Sequence, residues 1–196
     1  MAQEKDGQRG AFAINRVEAN ELWVELYARK GIGWLPVLTD SMAPLIRSGD
    51  QVLVSQVLAE QIHFGDIVVF RRNGDLIVHR VFKKWRNAEG IFFGEKGDSA
   101  QVQGLLAAGK VIGRVTTVKG RGNKTLSLSP PLSRLANLVL SAWLYWTTAG
   151  IMMLRSSRSK TAKRAGKVLS PLLMLSSRIL VRTCFAIWYL AALLSR

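Results

Sequence analysis

Ser41 lies in the run Thr39-Asp40-Ser41-Met42-Ala43-Pro44, and His79 follows 38 residues later in Val78-His79-Arg80-Val81. A serine hydroxyl is a poor nucleophile until a base removes its proton. An imidazole, whose reference pKa lies near neutrality, is well suited to that task. A Ser-Met-x-Pro turn followed by a His-Arg-Val strand is thus a hydrolase-type pairing, with Ser41 placed to attack and His79 to accept the proton. A third spot, Gly97-Asp98, lies further along. A serine in a turn or a histidine in a strand is by itself ordinarily structural; the joint pattern is what points to chemistry.

The elements that must position these residues read as β over 34–118. The segments 52–55, 66–70, 76–82, 91–93 and 111–118 are short and rich in Val, Ile and Phe, as strands are. Ser48-Gly49-Asp50, Phe64-Gly65-Asp66 and Asn73-Gly74-Asp75 supply turn glycines, with acids that bond local backbone. Asn73-Gly74 is a strong hairpin signal between the strands at 66–70 and 76–82. In this frame Asp50 and Asp66 read as turn acids, and Met42 and Pro44 as shapers of the turn. Upstream, residues 14–29 predict a helix packed on the domain, with Val17, Leu22, Trp23, Leu26 and Tyr27 on one stripe. Gly31 and Gly33 end it.

The chain carries 28 Lys+Arg against 13 Asp+Glu, a formal net charge of +15. All thirteen acids lie before residue 99, whereas residues 131–196 hold ten basic residues and no acid. This excess alternates with apolar blocks, which suits an anionic membrane surface better than a nucleic-acid groove, so no nucleic-acid partner is expected. Residues 135–154 run twenty positions without a charge, about 30 Å of helix and enough to cross a bilayer core. A basic loop, 155–167, separates them from a second apolar stretch, 168–195. Arg178 and Arg182 share one helix face there, so this stretch reads as a tilted or interfacial helix or as a span with paired arginines. The expectation is membrane association, with the side of the catalytic domain left open. Three units follow: a helix and tail over 1–33, a β-rich core over 34–124, and a basic, apolar helical region over 125–196. The polar, mixed-charge N-terminal decapeptide shows no cleavable leader pattern. Cys184 is the only cysteine, so no intramolecular disulfide can form. His63 and His79 show no metal-ligand spacing, and no metal or organic cofactor is implied.

Ser41-Met42-Ala43-Pro44 with Arg47-Ser48-Gly49-Asp50 resembles the nucleophile box of type I signal peptidases and their S24/S26 relatives. Gly65-Asp66-Ile67-Val68-Val69-Phe70 looks like the next box of that family, and Val78-His79-Arg80-Val81 is similar to its general-base box. Histidine in that box, where bacterial-type signal peptidases and LexA-like repressors carry lysine, resembles the endoplasmic-reticulum, archaeal and SipW-like branch. Gly94-Glu95-Lys96-Gly97-Asp98-Ser99 resembles that branch's Lys-Gly-Asp-Asn box, with Ser99 in place of the asparagine. Val111-Ile112-Gly113-Arg114-Val115 resembles the closing strand. The resemblance covers residues 34–118 and implies a mainly β peptidase core of the signal peptidase/LexA-like type. It also implies roles: Ser41 as nucleophile, His79 as base and Asp98 as the acid that orients His79. The Ser41 backbone N–H and the Thr39 hydroxyl would bind the oxyanion, and Arg80 is left as structural. The implied activity is cleavage of signal or leader peptides in an extended peptide or preprotein substrate. Two other readings stand beside it: a LexA-like self-processing regulator, and a membrane-bound binding module that keeps the core without the activity.

Overall fold

The computed structural model describes residues 2–100, 103–122, 124–129 and 131–156, together with positions 175, 176, 179 and 183. Helix α1 (Ala2–Lys30) precedes strands β1 (Ile32–Pro36), β2 (Gln51–Ser55), β3 (Ile67–Arg72), β4 (Asp75–Asn87), β5 (Gly90–Lys96), β6 (Gln103–Ala107), β7 (Val111–Lys119) and β8 (Thr125–Ser127). Helix α2 (Pro131–Ser156) closes the described fold. The strands form one antiparallel sheet in the order β1-β2-β7-β3-β4-β5-β6, with β8 added beside β7. The expected fold class is the one observed: a mainly β core with an N-terminal helix and a C-terminal helix.

The Asn73-Gly74 hairpin forms as predicted. Both residues have positive φ (52° and 80°), the geometry of a two-residue turn whose twist matches its flanking strands. β4 runs antiparallel to β3 with His79 opposite Val68 and Arg80 opposite Ile67. Side chains alternate across a strand. On β4, Val78 belongs to one apolar core with Ile67 and Val69, and Val81 belongs to the other with Val68 and Phe70. His79 and Arg80 therefore enter opposite faces of the sheet. Between Val81 and Lys83 the register with β5 shifts by a bulge, which bends the strand just after this pair. Sequence reading missed β1, β6 and β8. All three are short, and β1 contains Gly33 and ends on Pro36, both poor strand residues away from an edge.

α1 is longer than the predicted 14–29, and it ends at Gly31, whose φ of 66° and bond to the Tyr27 carbonyl make a left-handed cap. It packs on the domain as expected, but through a narrower stripe. Tyr27 is buried and Trp23 stacks on it at 5.0 Å, while Leu22 and Leu26 face solvent. Trp23 Nε1 donates to the Trp34 carbonyl, and Asn20 donates to that of Gly74. Burial pushes the Tyr27 phenol up to about 12.

The spanning helix expected over 135–154 is corrected here. Among the described residues, no helix is long and apolar enough to cross a membrane. α2 instead lies on the sheet through Asn137, Ser141 and Tyr145, spaced four apart. Asn137 and Ser141 are buried, and Tyr145 meets Phe82 of β4. Those polar residues, with Trp143, Trp146 and Thr147, dilute the apolar run. The helix continues through residue 156, so the loop expected at 155–167 does not begin where the charges do. The rest of that loop, and the stretch 168–195 apart from four positions, lie outside the described residues.

Candidate active site

The Ser41 turn is clamped from below and from both sides. Met42, Leu45 and Ile46 are buried in the core and hold its underside. Ala43 N–H donates to the Asp40 carbonyl and Ile46 N–H to that of Met42, closing a helical turn. Asp40 Oδ1 accepts from Ser48 N–H and Asp50 Oδ2 from Arg47 N–H, so Asp50 is a turn acid as predicted. Asp66 is likewise one, accepting from His63 N–H. The hydrogen bond made by the Ser41 hydroxyl is to Thr39 Oγ1, at 3.5 Å, which brings the two hydroxyl-bearing residues named from sequence together.

On β4, separated from β2 in the sheet by β7 and β3, His79 stands with its side chain 13% exposed. Residues 97–99 join it to the serine turn. Ser99 N–H donates to the Ser41 carbonyl at 2.9 Å, and Ser99 Oγ donates to the Asp40 carbonyl at 2.6 Å. Gly97 is wedged between the two candidate residues: a Cβ placed there would lie 2.5 Å from the Ser41 carbonyl oxygen and 3.0 Å from His79 Nε2. Only a residue without a side chain lets the loop pass between the Ser41 carbonyl and His79 Nε2.

The carboxylate on His79 is not Asp98. His79 Nδ1 bonds Glu95 Oε2 in a very short contact, and the Glu95 side chain is 1% exposed. Arg72 donates to the other oxygen, Oε1, at 2.6 Å. Burial pushes the Glu95 carboxyl up, but the bonds from His79 and Arg72, and their positive charges, outweigh it and hold the group below the ordinary carboxylate range. Phe70 meets the His79 ring edge-on at 5.9 Å and carries the Arg72 guanidinium 5.0 Å above its own ring. Gly104 of β6 makes room for the pair, since a Cβ there would lie 1.7 Å from Glu95 Oε1 and 2.6 Å from Arg72 Nη2.

Asp98 points into a different network. Its two oxygens accept from Arg80 Nε and Nη2 at 2.8 and 2.7 Å, with both side chains fully buried. Arg80 Nη1 also donates to the Gly65 carbonyl and, in a very short bond, to Asn137 Oδ1 of α2. Asp98, expected from the resemblance to orient His79, is thus bonded to Arg80 instead. The acid missed from sequence had a signal. Ile91, Phe93 and Glu95 alternate on β5 and all three are buried, so a carboxylate in that phase must find a partner inside.

A glutamate accepting Nδ1–H fixes an imidazole with its free lone pair on Nε2. The arrangement can perform proton transfer to and from a hydroxyl nucleophile. Among the described residues, no group of His, Cys, Asp or Glu is placed to hold a metal ion.

A family model described as Peptidase S24-like matches residues 5–91, a stretch that contains Thr39, Ser41 and His79 and ends before Glu95 and Asp98. No curated protein matches the chain.

Proposed function

We propose that the chain is a serine endopeptidase in which Ser41 is the nucleophile, His79 the general base and Glu95 the carboxylate that orients it. The observation that carries this reading is the buried Glu95, held between His79 Nδ1 and Arg72 while Gly97 brings His79 Nε2 beside the Ser41 turn. Ser41 Oγ attacks the scissile carbonyl carbon as its proton passes to His79 Nε2, and Glu95 stabilises the imidazolium. The same proton then goes to the leaving amine, the C–N bond breaks, and water hydrolyses the acyl-enzyme by the reverse proton path. Thr39 Oγ1 and the Ser41 N–H are the proposed oxyanion donors, with Thr39 already on the serine hydroxyl. The Ser41 hydroxyl, bonded to Thr39 here, would turn to His79 Nε2 with substrate in place.

The substrate class proposed is an extended peptide, such as a signal or leader segment, paired by strand addition beside the Ser41 turn. A self-processing reading draws on the same Peptidase S24-like match. One experiment separates the alternatives. Whole chain and Ser41→Ala are incubated with a preprotein bearing small residues at its cut site, and with a serine-directed phosphonate probe. Cleavage in trans by wild type alone, with labelling at Ser41, is expected. Self-cleavage at a rate independent of protein concentration would favour the self-processing reading. Absence of both labelling and cleavage in folded protein would leave a binding module.

A further inference from the structure

Among its described side chains, α2 reverses the usual amphipathic arrangement. A surface helix ordinarily turns its apolar stripe to the core. Of the described side chains, Asn137, Ser141 and Tyr145 dock on the sheet, and a set of apolar ones faces out. Leu135 is 55% exposed, Leu138 49%, Val139 47% and Trp146 72%. At 100° per residue these four fall within a sector of about 100°, a continuous ridge rather than scattered residues. An exposed apolar ridge of this kind marks an interaction surface.

The surroundings of the ridge say what it meets. At its N-terminal end, Leu135 and Leu138 form one wall of an open cleft of about 680 Å³ whose other walls include His63, Arg114 and Arg134. Asp66 also lines it and is paired with Arg114 at 3.4 Å, while Arg134 is exposed. Basic side chains therefore stand directly beside apolar ones. The helix then runs into the part of the sequence that holds only basic charge: from residue 131 onward there are ten Lys and Arg and no acid. A formal net charge of +15 opposes pairing of this face with a second copy of the chain. Apolar side chains that insert, flanked by cations, match an anionic bilayer surface. The polar stripe held against β4 means that lipid can reach one side of α2 only, so the helix lies in the interface rather than across it.

We propose that the outer face of α2, with the adjoining Arg114–Arg134 cleft, docks on anionic phospholipid bilayers as an interfacial helix. This proposal is independent of the peptidase reading, because the ridge contains none of the candidate catalytic residues.

The test uses the whole 196-residue chain with Cys184→Ser and a single new cysteine carrying an environment-sensitive fluorophore, at Leu138→Cys or, as control, at exposed Glu18→Cys. Vesicles are phosphatidylcholine alone or phosphatidylcholine with phosphatidylglycerol. The expected result is a blue shift at position 138 on the anionic vesicles only, with no shift at position 18. In unlabelled protein, Leu135→Glu with Trp146→Glu should lower flotation on anionic vesicles by at least about tenfold while the circular dichroism spectrum stays unchanged. No shift at position 138, or equal shifts on both vesicle types, would overturn the proposal. So would unchanged flotation of the double variant. A shift that grows with protein concentration without lipid would overturn it in favour of a second copy.

Discussion

His79 and Arg80 are adjacent on β4, enter opposite faces of the sheet, and end in two carboxylate networks that look alike on paper and differ in one respect. The His79–Glu95–Arg72 chain is buried in the middle and open at its ends, with Glu95 1% exposed, His79 13% and Arg72 39%. The Arg80–Asp98 pair is closed: both side chains are fully buried, and the remaining guanidinium bonds go to the Gly65 carbonyl and to Asn137 of α2. A network that ends at a site can pass a proton and hold a tautomer. A closed one can only fix geometry, and here it fixes the residue beside Gly97, on which the approach of His79 to Ser41 depends. The proposed division of labour is chemistry through Glu95 and scaffolding through Asp98.

The sharpest way to break this comparison is to neutralise each acid in turn. Glu95→Gln should fold normally and lose turnover by about 10⁴-fold, because an amide can present its NH₂ to Nδ1 and stabilise the wrong tautomer. Peptide cleavage per folded molecule is the measurement; near-normal turnover would remove Glu95 from the mechanism. Asp98→Asn should do the reverse. It leaves the Arg80 charge buried and uncompensated, at a cost of about 3–5 kcal/mol in stability, while the molecules that remain folded turn over at close to the wild-type rate. Urea unfolding and active-site titration together read both quantities. A large loss of turnover in a stable Asp98→Asn protein would restore the role first expected of Asp98.

That expectation shows where sequence reading reached and where it stopped. The strands at 52–55, 66–70, 76–82, 91–93 and 111–118 all exist, because β-branched runs and turn glycines are local signals. Ser41, Thr39 and His79 are legible because a turn and a strand carry them in a recognisable pattern. The choice of acid was not local. It depends on the register of β4 against β5, which sets Glu95 opposite Val81 and Lys96 opposite Arg80, and on a bulge that no residue type announces. The reading of 135–154 as a span failed for a related reason. Its apolar count was correct, but the partner of Asn137 is Arg80, 57 residues away, and a long-range contact of this kind leaves no periodicity to find.

Smaller effects should come from the two glycines that shape the open network. Gly104→Ala would push a methyl against Glu95 Oε1 and the Arg72 guanidinium, and displacement of the carboxylate by about 1 Å should lower turnover about 10²-fold with substrate binding little changed. The split between kcat and KM checks this. A rise in KM with kcat intact would place the effect on substrate binding and away from Glu95.

The smallest expected effect is on acid stability, and it still distinguishes the two faces. Glu95 is buried, which raises its carboxyl, yet the bonds and charges of His79 and Arg72 bring it below the ordinary range. A carboxyl depressed in the folded state contributes stability above its unfolded pKa, about 4.3 for glutamate, and that contribution is lost as pH falls through the folded value. Wild type should therefore lose stability on acidification below about pH 4 more steeply than Glu95→Gln, which has no such group to protonate. Urea midpoints measured from neutrality downward would show two curves converging in acid. Parallel curves would mean that the Glu95 carboxylate gains nothing from its partners in the folded protein, and the open network would then lack the charge that its proposed chemistry requires.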